Sequence, residues 1–263
     1  MEKYDIIIQG GQSNAEGSGR GPVLKAYEPS EDIYYLDVEY TLENVEGGHI
    51  VHYTDKPFIL KMAEERETPT GLASDFALTF AKKYIEDGRL EKGRKLLIIR
   101  SAIGGTGYAF GHWGVGRPLH EKMLEMTDYA LSLNPNENRI VAFLWHQGEH
   151  EAVYGTTTDT FRTFMLDTIN SVRTRYALPS LPFICADFVQ HWKRHNLSIC
   201  EPIIKELQNV VDSVDSAMFI RTENLPSNDR SWNNGDTIHF SRQALYELGE
   251  RYYLAYKILT DKQ

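Results

Sequence analysis

The sequence predicts an α/β fold, a three-layer α/β/α sandwich around a central parallel sheet of about five strands. Three observations carry the prediction. Five short runs rich in Ile, Val, Leu and Phe lack polar alternation, as strands covered on both faces do. Helical patterns stand between these runs, and strands alternating with helices imply right-handed crossovers. Glycine and polar clusters follow the runs, at the carboxyl edge of the sheet where α/β enzymes build their sites.

The first run, Asp5 to Gln9, ends in the pair Gly10 and Gly11, and the chain then presents Ser13 between Gln12 and Asn14. A sharp turn after a buried strand makes Ser13 a candidate nucleophile, although the same residues also suit an ordinary polar turn. The stretch from about Gly17 to Pro69 is too long for a tight connection and carries Tyr34, Tyr35, Tyr40 and Tyr53. It reads as an excursion with some strand or hairpin character near the site. Thr70 to Lys83 has a helical pattern, and Leu96 to Arg100 is the second strand. Ser101-Ala-Ile-Gly-Gly-Thr-Gly107 follows, with Tyr108, Phe110, His112 and Trp113 after it. Glycines at a strand end let a backbone N–H face a cavity, as an oxyanion donor must. No Gly-Lys-Ser/Thr follows, and the glycine spacing misses the dinucleotide pattern.

Ile140 to Trp145 is the third strand and runs into His146-Gln-Gly-Glu-His150. The Gln147 carboxamide can donate to a developing negative oxygen, and Glu149 can orient a histidine or a water. His146, Glu149 and His150 also spell the inverted zinc-hydrolase signature His-x-x-Glu-His, which requires one continuous helix. The position at a strand end and Gly148 in the middle argue against such a helix, and a purely structural role for both histidines is a third reading. Thr158 to Tyr176 repeats apolar residues at helical spacing, as does Ile203 to Val214. Between them Pro182 to Asp187 is the fourth strand, and Ala217 to Arg221 is the fifth. Asp236 stands three residues before His239, a spacing that lets a carboxylate hold the imidazole Nδ1 while Nε2 takes a proton from a hydroxyl. Ser241 then caps a last helix running to about Leu259.

Composition bounds the rest. A chain of 263 residues with 41% hydrophobic and 25% charged residues suits one large α/β domain over 1–263. Such a chain buries roughly 70 to 75% of its unfolded surface and needs no disulfide. The net charge of -9 disfavours nonspecific binding to nucleic acid or anionic membrane. No apolar run approaches the roughly 18 to 20 residues of a membrane span, and MEKYDIII has no basic segment before a secretory core. Cytoplasmic location is the expectation, with Cys185 and Cys200 as free thiols.

Four blocks, Gly11-Gln-Ser-Asn14, Ala102-Ile-Gly-Gly-Thr106, Trp145-His-Gln-Gly-Glu149 and Asp236-Thr-Ile-His239, together resemble the SGNH (GDSL-like) hydrolases. Within them the match is to the sialate O-acetylesterase and acetyl xylan esterase group, carbohydrate esterase family 6. The resemblance implies Ser13 as nucleophile, His239 as general base and Asp236 as its orienting acid, with Glu149 the alternative acid. It implies an oxyanion hole of the Ser13 and Gly105 backbone N–H groups and the Gln147 side chain, and no metal or organic cofactor. The implied substrate is an O-acetylated carbohydrate, a xylo-oligosaccharide or a sialic acid. Gln12, Asn14, Tyr108, Trp113 and Trp232 are its candidate contacts. The rival readings are a zinc hydrolase on His146, Glu149 and His150, and a carbohydrate-binding protein without turnover.

Overall fold

In chain order the strands are β1 (Lys3–Gly11), β2 (Ile33–Asp37), β3 (Tyr40–Val45), β4 (Gly48–Tyr53), β5 (Ile59–Met62), β6 (Arg94–Arg100), β7 (Arg139–His146), β8 (Phe183–Ala186) and β9 (Ala217–Ile220). The helices are α1 (Ser13–Glu16), α2 (Phe76–Glu86), α3 (Pro118–Ser132), α4 (Glu149–Tyr154), α5 (Thr158–Arg175), α6 (Gln190–His195), α7 (Leu197–Asp212), α8 (Asn228–Trp232) and α9 (Arg242–Thr260). They come from a computed structural model that describes residues 1–24, 30–45, 48–65 and 75–261.

All five apolar runs form strands of one sheet, in the order β5-β2-β6-β1-β7-β8-β9. Its pairings are parallel except for β5, which runs antiparallel to β2. The sheet therefore has seven strands among the described residues rather than about five. The two extra strands come from the excursion, where Tyr34 is half-buried and Ile59, Leu60 and Met62 are exposed. Strand β5 is an edge open to solvent, and β2 interleaves tyrosines with its buried Ile33 and Leu36, so neither shows the aliphatic run of a strand covered on both faces.

Alternation in β1 sorts side chains to the two faces. Ile6 and Ile8 join Leu97, Ile99, Met123, Phe161 and Leu207 in the core under α3, α5 and α7. Ile7 joins Leu96, Ile98, Phe76, Phe80 and Tyr252 under α2 and α9. Each such aliphatic side chain contributes about 1.5 to 3 kcal/mol on burial, so two continuous apolar layers hold β1 at the centre. Helix α9 can lie close on α2 because Gly249 faces it; a Cβ there would collide with the Phe76 carbonyl and stand 2.5 Å from Thr79 Cβ.

Helix ends follow their capping residues. Ser241 Oγ accepts from the Ala244 N–H at the start of α9, and Asp75 Oδ1 accepts from the Leu78 N–H at the start of α2. The expected start of that second helix, Thr70, lies outside the described residues, and the helix itself begins at Phe76. Helix α7 begins at Leu197, six residues before the expected Ile203. At the amino end of β1, buried Asp5 accepts from Arg94 Nε at 2.8 Å, Arg139 Nε at 2.7 Å and the Tyr84 hydroxyl at 3.0 Å. Cys185 and Cys200 are free and buried, and burial raises both thiols, Cys200 to about 12. Among the described residues no helix is long and apolar enough to cross a membrane.

Candidate active site

Ser13 opens α1, directly after β1 ends at the carboxyl edge of the sheet. Its Oγ lies 2.9 Å from His239 Nε2. The Nδ1 of that ring meets Asp236 Oδ1 at 3.0 Å and Oδ2 at 3.1 Å, and the His239 backbone N–H also donates to Oδ1. The chain between α8 and α9 holds this pair, pinned where Asn228 N–H donates to the His239 carbonyl and Ser241 N–H to the Pro226 carbonyl. Asn228 is a residue that sequence reasoning missed. Its Nδ2 donates to Asp236 Oδ2 at 2.8 Å and to the Ser18 carbonyl, tying the acid to the chain that follows Ser13. No motif spacing flags it, because the connection exists only once two distant loops meet. Burial pulls the Asp236 carboxyl upward, but hydrogen bonds from His239 and Asn228 outweigh that and hold it at about 2.

Asn14, an expected substrate contact, is fully buried and faces the other way. Its Nδ2 donates to Glu149 Oε1 at 2.9 Å and to the Ile238 carbonyl at 3.1 Å, while its Oδ1 accepts from the Phe240 N–H at 3.1 Å. It thus clamps the backbone on both sides of His239. Glu149 meets Asn14 and His146 and makes no hydrogen bond to His239. Burial raises its carboxyl, and the His146 and Asn14 contacts bring it below the ordinary carboxylate range. Of the two candidate acids, only Asp236 faces the imidazole.

A cavity of about 530 Å³ opens over the pair, lined by Gln12, Ser13, Gly104, Gly105, His150 and His239 among others. Gly104 comes so near that a Cβ there would stand 3.3 Å from Ser13 Cβ, and its N–H donates to Glu16 Oε2. Gly105 takes a positive φ of 69°, and the ring of His49 covers it. His49 belongs to the β3–β4 hairpin, so the excursion does reach the site. Tyr40 reinforces this, its hydroxyl donating to Glu16 Oε1 at 2.7 Å.

Gln147 departs from expectation. Its Nε2 donates to Glu151, and its side chain is not among the residues lining the cavity. Glu151 is fully buried and also accepts from the Tyr108 N–H at 2.5 Å. A buried carboxylate needs every donor within reach, which draws the amide away from the serine. The zinc geometry is not formed either. Gly148, at φ 138°, breaks the chain between β7 and α4, so His146 and His150 do not share a helix. His146 packs among Phe76 and Phe240, whereas His150 meets Phe110, His112 and Tyr154.

The expected aromatic contacts do not line the cavity over Ser13 either, although Tyr108 and Trp113 line a neighbouring one. Tyr108 stacks on Phe164 at 4.9 Å, and Trp113 packs edge-on against Trp145 at 4.8 Å; both are in the core, where large rings gain most from burial. Trp232 is half exposed but lines a separate cavity of about 200 Å³ and donates to the Arg20 carbonyl. Gln12 does line the cavity over Ser13, as do Tyr154 and His49, which sequence reasoning did not single out.

Residues 3–258 match the family described as carbohydrate esterase, sialic acid-specific acetylesterase. The chain belongs to this family. The esterase is 22% identical over 245 residues to a probable 9-O-acetyl-N-acetylneuraminic acid deacetylase of Escherichia coli (strain K12), covering 79% of this chain and 74% of that one. Its fold is similar to the crystal structure of NanS, with a TM-score of 0.76 and 20% identity over 100% of both chains. It is also similar to a protein from Arabidopsis thaliana, with a TM-score of 0.69, 20% identity and coverage of 97% and 98% of the two chains. A carbohydrate acetylesterase from Xanthomonas citri aligns with a TM-score of 0.66 at 18% identity, over 98% of this chain and 57% of that one. The protein is a carbohydrate O-acetylesterase that removes O-acetyl groups from sugars.

Proposed function

We propose that the esterase works through a covalent acetyl-serine on Ser13, with His239 as general base and acid, Asp236 as its orienting carboxylate, and O-acetylated sialic acid as substrate. The observation that carries this reading is the 2.9 Å approach of His239 Nε2 to Ser13 Oγ, with both oxygens of Asp236 on Nδ1. Held that way, Nδ1 carries the hydrogen and Nε2 is free to accept the proton of the serine hydroxyl. Ser13 Oγ then bonds to the acetyl carbon, and negative charge develops on the carbonyl oxygen. We assign this charge to the backbone N–H groups of Ser13, first in α1 and without an acceptor inside that helix, and of Gly105, which lines the same cavity. His239 returns the proton to the departing sugar oxygen as the ester C–O bond breaks. A water, deprotonated by the same imidazole, releases acetate from Ser13 and restores the hydroxyl.

The sialic acid assignment follows the family description and the Escherichia coli relative, and the whole chain is taken as one esterase unit. Two free, buried thiols favour a reducing compartment such as the cytoplasm. A fluorophosphonate should add one mass adduct at Ser13, and Ser13→Ala should abolish both the adduct and acetate release with the thermal transition nearly unmoved. Full turnover by Ser13→Ala would end the assignment.

A further inference from the structure

Beside the catalytic cavity lies a second one of about 440 Å³, and Tyr154 lines both. The Tyr154 ring stands edge-on to Phe110 at 4.8 Å and tilted to His150 at 4.5 Å, which makes it a supported partition between the two spaces. Tyr108 and Phe164, stacked on each other, give the second cavity an aromatic wall, and Thr156 and Arg117 line it with them. One of its polar groups is buried and unsatisfied, and a second is an exposed cation with no anion beside it among the described residues. Thr156 Oγ1 is buried with no hydrogen-bond partner among the described residues. The Arg117 guanidinium lies over Gly111, where a Cβ would stand 3.7 Å from Cζ, and neither an ion pair nor a hydrogen bond engages its side chain among the described residues. The buried Thr156 hydroxyl lacks a partner and the Arg117 guanidinium, open to water, is free of any anion among the described residues, so both can donate to a ligand in this cavity.

The catalytic cavity has the opposite character. Its carboxylates are Glu16 and Glu149, and among the described residues no lysine or arginine lines it. An anionic group on the substrate is repelled there and attracted to the neighbouring space, where the planar fork of an arginine matches a carboxylate with two parallel hydrogen bonds.

We infer that the second cavity is an acid subsite: Arg117, with the Thr156 hydroxyl beside it, holds the carboxylate of an acidic sugar while the acetyl ester reaches past Tyr154 to Ser13. Arg117 is thereby a specificity-determining residue for an O-acetylated sugar acid, of which sialic acid is the favoured case. The inference rests on the Ser13 esterase reading for the direction of the ester, whereas its carboxylate claim is measurable without turnover.

The test compares wild type with Arg117→Met and Arg117→Lys on three substrates, an O-acetylated sialic acid, an O-acetylated glucuronic acid and the neutral p-nitrophenyl acetate. Calorimetry in parallel follows free N-acetylneuraminate and its uncharged C1 carboxamide. In Arg117→Met the KM for an acidic ester should rise about tenfold or more with little change in kcat, the size expected for losing a charged hydrogen-bond partner. The ratio of kcat/KM for acidic over neutral ester should fall by a similar factor, and Arg117→Lys should recover part of it. Wild type should bind N-acetylneuraminate more tightly than the carboxamide, a preference that Arg117→Met loses. Loss on only one acidic ester identifies which sugar acid the subsite serves. Equal loss on acidic and neutral esters, no loss on either acid, or a carboxamide bound as well as the acid would overturn the inference. Absence of acetate release from every ester by wild type would instead defeat the Ser13 reading, and calorimetry would still decide the role of Arg117.

Discussion

Asp236 and Glu149 are two carboxylates near the loop that carries His239, and their hydrogen bonds differ. Asp236 receives the His239 ring and the Asn228 amide; Glu149 receives Asn14, which clamps Ile238 and Phe240. On the proposed mechanism, replacing the acid that holds the His239 ring should therefore hurt most. Asp236→Asn is expected to lower kcat by about 10⁴, as loss of the orienting carboxylate does elsewhere. Glu149→Gln keeps an acceptor for Asn14 but loses its charge, and should cost about tenfold. Initial-rate measurements on both variants check the order, and a larger loss at Glu149 would exchange the two assignments. The same Asp236 contacts also stabilise the fold. Its carboxyl is lowered from 3.8 to about 2 on folding, so this contribution is present above pH 3.8 and is lost as pH falls through about 2. The stability gap between wild type and Asp236→Asn should accordingly narrow on acidification across that window in thermal melts.

The Ser13, His239 and Asp236 constellation was legible in the sequence because short-range spacing carries it: a serine after a strand-ending glycine pair, and an acid three residues before a histidine. Asn228, Tyr154 and the true orientations of Asn14 and Gln147 were not. Those depend on which buried partner each polar group meets, and residues that meet are up to 226 positions apart, as Asn14 and Phe240 are.

At the scale of elements, the β3–β4 hairpin and the glycine turn after β6 form one unit. A Cβ on Gly105 would stand 2.6 Å from His49 Cδ2, and its φ of 69° is costly for any residue with a side chain. Gly105→Ala should thus destabilise the protein by about 1 to 3 kcal/mol and, on the proposed mechanism, reduce activity by displacing the Gly105 N–H from the developing oxyanion. Adding His49→Ala should return part of the stability by removing the steric conflict, though not the backbone strain. Urea denaturation of the two single variants and the double variant measures that coupling, and strict additivity would show that the hairpin does not press on the turn. The hairpin and the two outer strands β2 and β5 were anticipated only as an excursion. The hairpin and β5 are largely exposed and β2 interleaves tyrosines with its aliphatic residues, while the other five strands of the sheet announce themselves through unbroken apolar runs.

Across the whole molecule, chemistry and stability sit at opposite ends of the same sheet. Asp5 near the start of β1 neutralises Arg94 and Arg139, and the site gathers where that strand ends. Asp5→Asn leaves Arg94 nearly buried without its anion, which costs about 3 to 5 kcal/mol. Activity per folded molecule should nonetheless hold, so denaturation and active-site titration should part company in this variant; a matching fall in kcat would show that the two ends are coupled.

The two cysteines lie in the apolar layers, with no exposed sulfur surface and with thiols that burial keeps protonated. Neither offers the thiolate that alkylating agents attack. Maleimide incorporation will therefore keep time with the opening of the interior, so that this pair serves as a built-in clock for unfolding that leaves the ester chemistry undisturbed.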